Sequence, residues 1–434
     1  MNPCDIIYKK RFGGELSEKE IRAFVSGVVD GSFADYQISA LLMAICINGM
    51  SANETLHLTM EMAESGDMLD LSEIKGITCD KHSTGGVGDT TSLVLVPLVA
   101  ACGVKVAKMS GRGLGFTGGT LDKMESIPGL SVEMDAEKFI DTVNGIGCAI
   151  IGQTKSLAPA DKVLYALRDV TATVDCLPLV TSSILSKKIA AGANVIVLDV
   201  KTGSGAIMPT YEKSVELAKT MVHIGNLTGR KFSALVTDMN QPLGNYVGNA
   251  LEVYEAIEIL SGRVQGDLKD VALMLGAHIL RLSGIAENTD QGLEMLNEKL
   301  ENGEGLKKLS ELIAAQGGNP AVAFDPDLLP KAPVIKNVSL GKKGYIKSIQ
   351  TDKIGYAAKA LGAGRDRKED EIDLSVGLIM KKRVGDSISE TDSVVEMHIS
   401  SVSDVQRAEA LILSSFELSD EPVEKPTLIR GVIE

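Results

Sequence analysis

Cysteine, proline and net positive charge are all scarce in this chain of 434 residues, and each shortage excludes something. The six cysteines, Cys4, Cys46, Cys79, Cys102, Cys148 and Cys176, form no C-x-x-C pair and sit mostly among apolar neighbours. They read as core thiols in a reducing cytosol rather than as a disulfide or metal framework. Only 13 prolines stand beside 44 glycines and 44% hydrophobic residues, the composition of a globular chain of two or three domains with ample core. A formal charge of −14 argues against nucleic acid or an anionic membrane as a general partner. No apolar run approaches a membrane span, and the polar start Asn2-Pro3-Cys4-Asp5 does not read as a signal peptide, so the expectation is a soluble, cytoplasmic protein.

Glycine is what the chain has in quantity, and it is concentrated in two loops. The first runs Asp80-Lys81-His82-Ser83-Thr84-Gly85-Gly86-Val87-Gly88-Asp89-Thr90-Thr91-Ser92, directly before the apolar run from Leu93 to Ala101. A short strand at Ile77–Cys79, a glycine turn that exposes backbone N–H groups, and a helix capped by Thr90, Thr91 or Ser92 together make an anion site with Lys81, His82 and Ser83 at its mouth. Taken alone, the loop serves equally as a tight turn. No Gly-Lys-Ser/Thr follows the glycines, so triphosphate binding with magnesium is not the natural inference, and a smaller anion such as inorganic phosphate or pyrophosphate fits better.

The second loop, Ser110-Gly111-Arg112-Gly113-Leu114-Gly115-Phe116-Thr117-Gly118-Gly119-Thr120, follows a strand predicted over Val104–Met109. Two such loops, each after a strand of an open α/β sheet, share one crevice beyond the carboxyl ends of the strands. Gly113-x-Gly115-x-x-Gly118 also spells the dinucleotide fingerprint, making a nicotinamide-dependent dehydrogenase the rival from another reaction class. The rival lacks the acidic residue it needs: the next strand, Cys148–Gly152, ends at Gln153.

Along the chain, residues 1–70 read as helical, with capping boxes Ser17-x-x-Glu20 and Ser51-x-x-Glu54 ahead of amphipathic stretches. From about Gly76, strands (Val104–Met109, Cys148–Gly152, Val195–Val200, Ala234–Thr237) alternate with helices, which predicts a largely parallel sheet. A helical insertion over Pro159–Ala191 is too long for a simple crossover and rejoins the first helices. The fold class expected is therefore α/β and α+β. A small all-helical domain (1–70 and 159–193) is hinged to a large α/β domain with a mainly parallel sheet (71–158 and 194–325). The proline-rich linker Phe324–Pro333 then leads to an α+β C-terminal domain (335–434). Within that last domain Gly385-Asp386-Ser387-Ile388-Ser389 resembles a lipoyl or biotinyl carrier hairpin, but no lysine stands in the turn at Glu390-Thr391-Asp392, so a structural or dimer-supporting role is preferred.

The insertion carries its own chemistry. Ser183 and Lys187, four apart, place a hydroxyl and an ammonium on one helix face, and Arg168 closes the preceding helical stretch beside Tyr165. As isolated residues they have ordinary readings too: Lys187 and Lys188 as a solvated pair, Arg168 neutralising a helix end or pairing with Asp169.

Taken in order, Lys81-His82-Ser83-Thr84-Gly85-Gly86-Val87-Gly88-Asp89, Ser110-Gly111-Arg112-Gly113-Leu114-Gly115, Thr117-Gly118-Gly119-Thr120-Leu121-Asp122-Lys123, Ala158-Pro159-Ala160-Asp161-Lys162 and Arg168-Asp169-Val170-Thr171-Ala172-Thr173-Val174 resemble the thymidine/pyrimidine-nucleoside phosphorylase family along essentially the whole chain. The resemblance implies reversible phosphorolysis: phosphate attacks C1′ of a pyrimidine nucleoside with inversion, releasing the base and an α-linked (deoxy)ribose 1-phosphate. It further implies a homodimer, with phosphate on the large domain and base on the small one. By matching positions, Lys81, Ser83, Ser92, Ser110 and Thr120 resemble the phosphate ligands, with His82, Lys108 and Met109 in the same region. Tyr165, Arg168, Ser183 and Lys187 resemble the base-binding set. Arg168 and Lys187 would stabilise negative charge on the departing pyrimidine, and His82, with an ordinary pKa near working pH, is the candidate proton donor. His57, His223, His278 and His398 carry no motif.

Lys108, where strict thymidine phosphorylases have an apolar residue, resembles the broader branch that also cleaves uridine. Gln241-Pro242-Leu243-Gly244 with Glu255 resembles that branch as well, and implies one potassium ion per subunit held by Gly88, the Thr90 region, Leu243, Tyr246 and Glu255, with no organic cofactor. Phe116 departs from the family pattern, which has His there; the substitution predicts weaker domain closure or altered kinetics, checked by whether Phe116→His changes turnover or phosphate affinity. The alternatives are a strict thymidine phosphorylase, an anthranilate-type phosphoribosyltransferase with magnesium, and a non-catalytic nucleoside or phosphate sensor. Leu41, Leu42, Ile45 and Ile47 offer an apolar helix face for a dimer.

Overall fold

The computed structural model describes all residues except Leu114, Thr117, Lys155, Asp366 and Lys368. Four helices open the chain, α1 (Pro3–Arg11), α2 (Glu18–Asp30), α3 (Asp35–Asn48) and α4 (Ala52–Ala63). Both expected capping boxes form. Ser17 and Ser51 accept from the backbone of Glu20 and Glu54, whose carboxylates accept the Ser17 and Ser51 N–H groups at 2.7 and 2.8 Å. Such a reciprocal pair satisfies two donors that a helix start otherwise leaves orphaned.

The central sheet then builds from β1 (Thr78–Ser83), α5 (Thr91–Ala101), β2 (Lys105–Ser110), α6 (Thr120–Glu125), α7 (Ala136–Ile146) and β3 (Cys148–Gly152). Helices α8 (Pro159–Val170) and α9 (Leu177–Ala190) interrupt it, and β4 (Val195–Thr202), α10 (Tyr211–Leu227) and β5 (Lys231–Asp238) complete its parallel part. Strand order is β5-β4-β1-β2-β3 with every pair parallel. Alternate residues of each strand enter different cores. Cys148, Ile150, Val195 and Val197 pack on one face, while Ala149, Ile151, Ile196 and Leu198 pack on the other. This is the two-sided burial that a parallel sheet requires. The chain runs outward from β1 through β2 to β3, then returns to the opposite side of β1 as β4, so β1 marks the topological switch point where ligands bind in such sheets.

The short strand β6 (Tyr246–Gly248), α11 (Ala250–Leu260), α12 (Asp267–Leu282), α13 (Thr289–Glu301) and α14 (Glu304–Ala315) follow. The last region contains β7 (Val334–Ser339), β8 (Gly344–Ile349), α15 (Thr351–Ala358), β9 (Gly377–Met380), β10 (Ser387–Ile388), β11 (Ser393–Ile399), α16 (Val405–Leu413) and β12 (Phe416–Ser419). An N-terminal helical domain, a large α/β domain and a C-terminal α+β domain are thus all present. Two strands stitch the last two together. β6 pairs with β9 in the C-terminal sheet, and the final strand, β13 (Ile429–Ile433), leaves residues 335–428 to run antiparallel on β5. Placing all of 335–434 in one domain misassigns that strand. Its intermediate burial and five-residue length leave no internal signal of which sheet it joins.

Two further expectations need correction. β1 does not stop at Cys79: Cys79 to Ser83 pair residue by residue with Val195 to Asp199, so Lys81, His82 and Ser83 lie in the strand. Leu41, Leu42 and Ile45 are interior residues of the helical core, at most 1% exposed, and of the four expected interface residues only Ile47 faces solvent.

Candidate active site

The carboxyl end of β1 gathers a set of charges that would be intolerable unpaired. Lys81, buried, donates through Nζ to the Thr91 hydroxyl and lies 3.5 Å from Asp199 and 3.8 Å from Asp89. Ser83 Oγ donates to Asp89 at 2.6 Å, and Asp89 also accepts from the Thr91 hydroxyl at 2.7 Å and its N–H at 3.4 Å. Burial alone would raise the Asp89 pKa, but Lys201, Lys81 and Lys123 hold it well below the usual carboxylate range. The capping role expected of the hydroxyls belongs instead to this carboxylate, because Thr90 Oγ1 donates to Glu252. Ser92 is buried in the first turn of α5, Ser110 ends β2, and Thr120 opens α6. Leu114 and Thr117 of the second glycine motif lie outside the described residues.

Beneath Lys81 lies a cluster that motif reading left without a role. The Asp80 carboxylate takes Lys188 Nζ on one oxygen at 2.7 Å and Lys108 Nζ on the other at 3.4 Å. Lys108 also donates to the Lys81 carbonyl at 2.5 Å, and Lys188 to the Met109 carbonyl at 2.8 Å. Lys188 is buried, which removes the reading of Lys187 and Lys188 as a solvated pair. Burial, with Lys188 and Lys81 adding repulsion, brings the Lys108 ammonium down to about 8 despite Asp80. His82 is pushed well below its ordinary value, by burial first and then by Lys188, Lys108, Lys187 and Lys81. These surroundings favour the neutral ring of His82, which would offer an N–H, over the imidazolium.

The base-side residues sit on α8 and α9. Lys187 Nζ donates to Asp161 at 2.6 Å and to Ser183 Oγ at 3.2 Å, so the four-residue spacing delivers the shared face it predicts. Arg168 does not pair with Asp169. Its guanidinium donates to the carbonyls of Thr173, Val174 and Leu179, pinning the connection between α8 and α9, and lies 5.7 Å from the Tyr165 ring centroid. Among the described residues these bonds engage one N–H on each of its three nitrogens.

The side chains of α9 split between two cores. Leu179 packs in the helical core, and Val180, Ile184, Leu185 and Ile189 pack against the sheet. Each fully buried aliphatic side chain contributes about 1.5–3 kcal/mol, so the helix is anchored to both. That anchoring lets Lys188, next to Lys187, reach Asp80 of β1 at 2.7 Å.

The residues expected at a cation meet on the far side of the first glycine loop. Gly88, with φ +65°, approaches so closely that a Cβ there would stand 3.2 Å from the Tyr246 carbonyl, and Gly88 O accepts from Gly244 N at 3.0 Å. Leu243 N bonds the Val87 carbonyl. Glu255 accepts the N–H groups of Asn245 and Tyr246 at 2.7 and 3.2 Å, and burial plus Glu252 raises it to about 7. Thr90 is displaced toward Glu252, which also pairs with Lys123 at 2.7 Å. The Phe116 ring lies tilted at 54° to that of Tyr356 of α15, with centroids 5.3 Å apart, so in place of a ring nitrogen the second glycine loop has an apolar contact with the C-terminal domain.

The comparisons with known proteins agree with this arrangement. Residues 5–66 match the helical bundle domain and residues 75–306 the a/b domain of the glycosyl transferase family, which defines the class of protein. Residues 345–419 match the pyrimidine nucleoside phosphorylase C-terminal domain. The chain is 50% identical over 429 residues, 99% of each sequence, to the pyrimidine-nucleoside phosphorylase of Geobacillus stearothermophilus. It is 53% identical over 398 residues, 92% of each, to that of Bacillus subtilis. It belongs to the pyrimidine-nucleoside phosphorylase family. Among solved structures, an anthranilate phosphoribosyltransferase from Thermus thermophilus superposes with a TM-score of 0.60 over 72% of this chain and 99% of that one; at 19% identity the likeness is one of fold alone.

Proposed function

We propose that this chain catalyses the reversible phosphorolysis of uridine, thymidine and deoxyuridine by inorganic phosphate, yielding free pyrimidine and α-D-(deoxy)ribose 1-phosphate. The observation that carries the reading is the tie between the base-side helix and the phosphate-side strand: Lys188 of α9, the residue after Lys187, donates to Asp80 of β1 at 2.7 Å, directly before Lys81, His82 and Ser83. Phosphate would bind Lys81, Ser83, Ser92, Ser110 and Thr120, its charge opposing the ammonium groups of that wall. As the C1′–N bond breaks, the sugar becomes oxocarbenium-like and the pyrimidine gains negative charge, which Lys187 and Arg168 stabilise. Ser183 orients the base and Tyr165 flanks it. A neutral His82 hydrogen-bonds the leaving base, and its proton affinity rises when a phosphate dianion offsets the lysines.

The test follows release of base from each nucleoside with and without phosphate. Phosphate-dependent release from all three is expected. Release from the deoxynucleosides alone would restrict the chain to thymidine phosphorylase activity, and no release would reject the reading.

Of the set Gly88, Thr90, Leu243, Tyr246 and Glu255, the carbonyls of Gly88 and Tyr246 and the Glu255 carboxylate suit a potassium ion, while the Thr90 hydroxyl, now on Glu252, and the Leu243 carbonyl, now 3.3 Å from Arg383, would turn toward it. Glu255 is a buried carboxylate whose bonds among the described residues come only from backbone N–H groups, and carbonyl oxygens crowd beside it. The ion would supply the missing countercharge and tie the first glycine loop to 243–246. At about ten times its Kd it would add roughly 1.4 kcal/mol of stability. The expected result is a higher Tm in potassium chloride than in choline chloride at equal ionic strength, and no difference in Glu255→Gln.

The chain would act in the cytoplasm as a homodimer. Among the described residues no helix is long and apolar enough to cross a membrane. Tyr36, Met43 and Ile47 recur at seven and four residues along one face of α3, and Tyr36 and Ile47 are 76% and 74% exposed. Tyr8 and Phe12, stacked at 5.9 Å, extend the apolar surface on α1, which packs on α3. Light scattering should give a dimer for the native chain and a monomer for the double variant Phe12→Asp, Ile47→Asp.

A further inference from the structure

We propose that Asp80 is a positioning residue for phosphate, its two carboxylate oxygens holding the ammonium groups of Lys108 from β2 and Lys188 from α9 in the wall beneath Lys81. The inference rests on the phosphorolysis reading and adds to it a residue outside the ligand set.

The geometry is specific. Asp80 is 1% exposed and precedes the phosphate-side residues Lys81, His82 and Ser83 in the same strand. One of its oxygens accepts Lys188 at 2.7 Å, and the other faces Lys108 at 3.4 Å and accepts the Lys81 N–H at 2.7 Å. The two lysines pass the restraint on. Lys108 holds the Lys81 carbonyl, and Lys188 holds the Met109 carbonyl next to Ser110. One carboxylate therefore fixes the backbone carrying the first ligands of both glycine loops, and it joins α9 to them. Lys188 follows Lys187 directly, so the base-side ammonium and the sheet-side ammonium leave adjacent residues of one helix.

The same cluster sets charge. The groups facing Lys108 are Asp80, Lys81, Cys79 and the His82 imidazole from β1 and Lys188 from α9; its neighbour in β3 is the apolar Ile150. Asp80 is the carboxylate among them and keeps Lys108 protonated, while Lys188 and Lys81 oppose it. With Lys108 near 8, the cationic wall weakens as pH rises through that value. Removing Asp80 moves the loss to lower pH. Removing Lys188 moves it to higher pH, because a like charge is gone and the carboxylate oxygen that held Lys188 is released to face Lys108.

The experiment measures KM for phosphate from pH 6 to 9.5 with uridine saturating, in the native chain, Asp80→Asn, Asp80→Glu and Lys188→Met. Asp80→Asn is expected to raise KM for phosphate about tenfold at pH 8, with its rise beginning about one pH unit below that of the native chain. Asp80→Glu is expected to recover most of the loss, and Lys188→Met to shift the rise upward. Opposite shifts are not produced by general loosening of the fold, and Lys188→Met keeps the inference testable if Asp80→Asn does not fold. Profiles of both variants that superpose on the native one, or that move in the same direction, would overturn it. A native chain with no saturable phosphate dependence would remove the underlying reading instead.

Discussion

Replacing Lys187 with Met should lower kcat for uridine and thymidine by about 10²–10³-fold, while KM for phosphate changes by less than about threefold. The side chain is aimed before any ligand arrives, with Asp161 at 2.6 Å and Ser183 Oγ at 3.2 Å. A preorganised ammonium in a largely buried site acts on charge that develops in the transition state, so its loss appears in kcat rather than in ground-state binding. Methionine keeps the length and apolar stem, and it leaves phosphate ligands such as Lys81 and Ser83 untouched. It also leaves Asp161, whose second oxygen is buried without a hydrogen-bond partner among the described residues, with Arg168 as its remaining countercharge. The lost countercharge penalises an anionic leaving group more than a neutral base. Steady-state kinetics in both substrates decide the matter. A kcat within about threefold of native would show that Lys187 organises Asp161 and does not serve the reaction.

How much of this was readable from the chain depends on how local each signal is. The capping boxes, the mainly parallel sheet and the Ser183–Lys187 face are written within four residues or within a repeating period, and the structure has all three. The strand β1 was cut short because Asp80-Lys81-His82-Ser83 is polar. Its place in the sheet comes from pairing with β4, more than a hundred residues away. The Asp80–Lys188 bond joins positions 108 apart, and no spacing rule reaches that far. Asp89 stood inside a quoted motif, and what hid it was its role: a carboxylate in an anion loop looks misplaced until Lys81, Lys123 and Lys201 are seen around it. Leu41, Leu42 and Ile45 looked like an interface because α3 is apolar on most of its circumference. Only the packing of α1 separates the inward residues from the outward row of Tyr36, Met43 and Ile47.

Asp89→Asn should destabilise the fold by about 3–5 kcal/mol near neutral pH, the usual consequence of removing one partner from a buried ionic network. The amide preserves shape and the Ser83 contact, but it cannot balance Lys81 and Lys201, each 3.8 Å from the carboxylate, and Asp199 is then left to serve both. The pH dependence separates charge from packing. Asp89 is held well below its ordinary 3.8 in the folded state, so its stabilisation is complete above that value and is lost as pH falls toward the folded pKa. Urea unfolding of native and variant chains should therefore differ most at pH 6–7 and converge below about pH 4. A gap that stays constant across that range would assign the loss to the altered hydrogen bonds at Thr91. The same network explains why an acidic protein can hold a phosphate site: Asp89, Asp199 and Asp80 balance the lysines of the wall only in part, and the residual positive charge is directed at the crevice above β1.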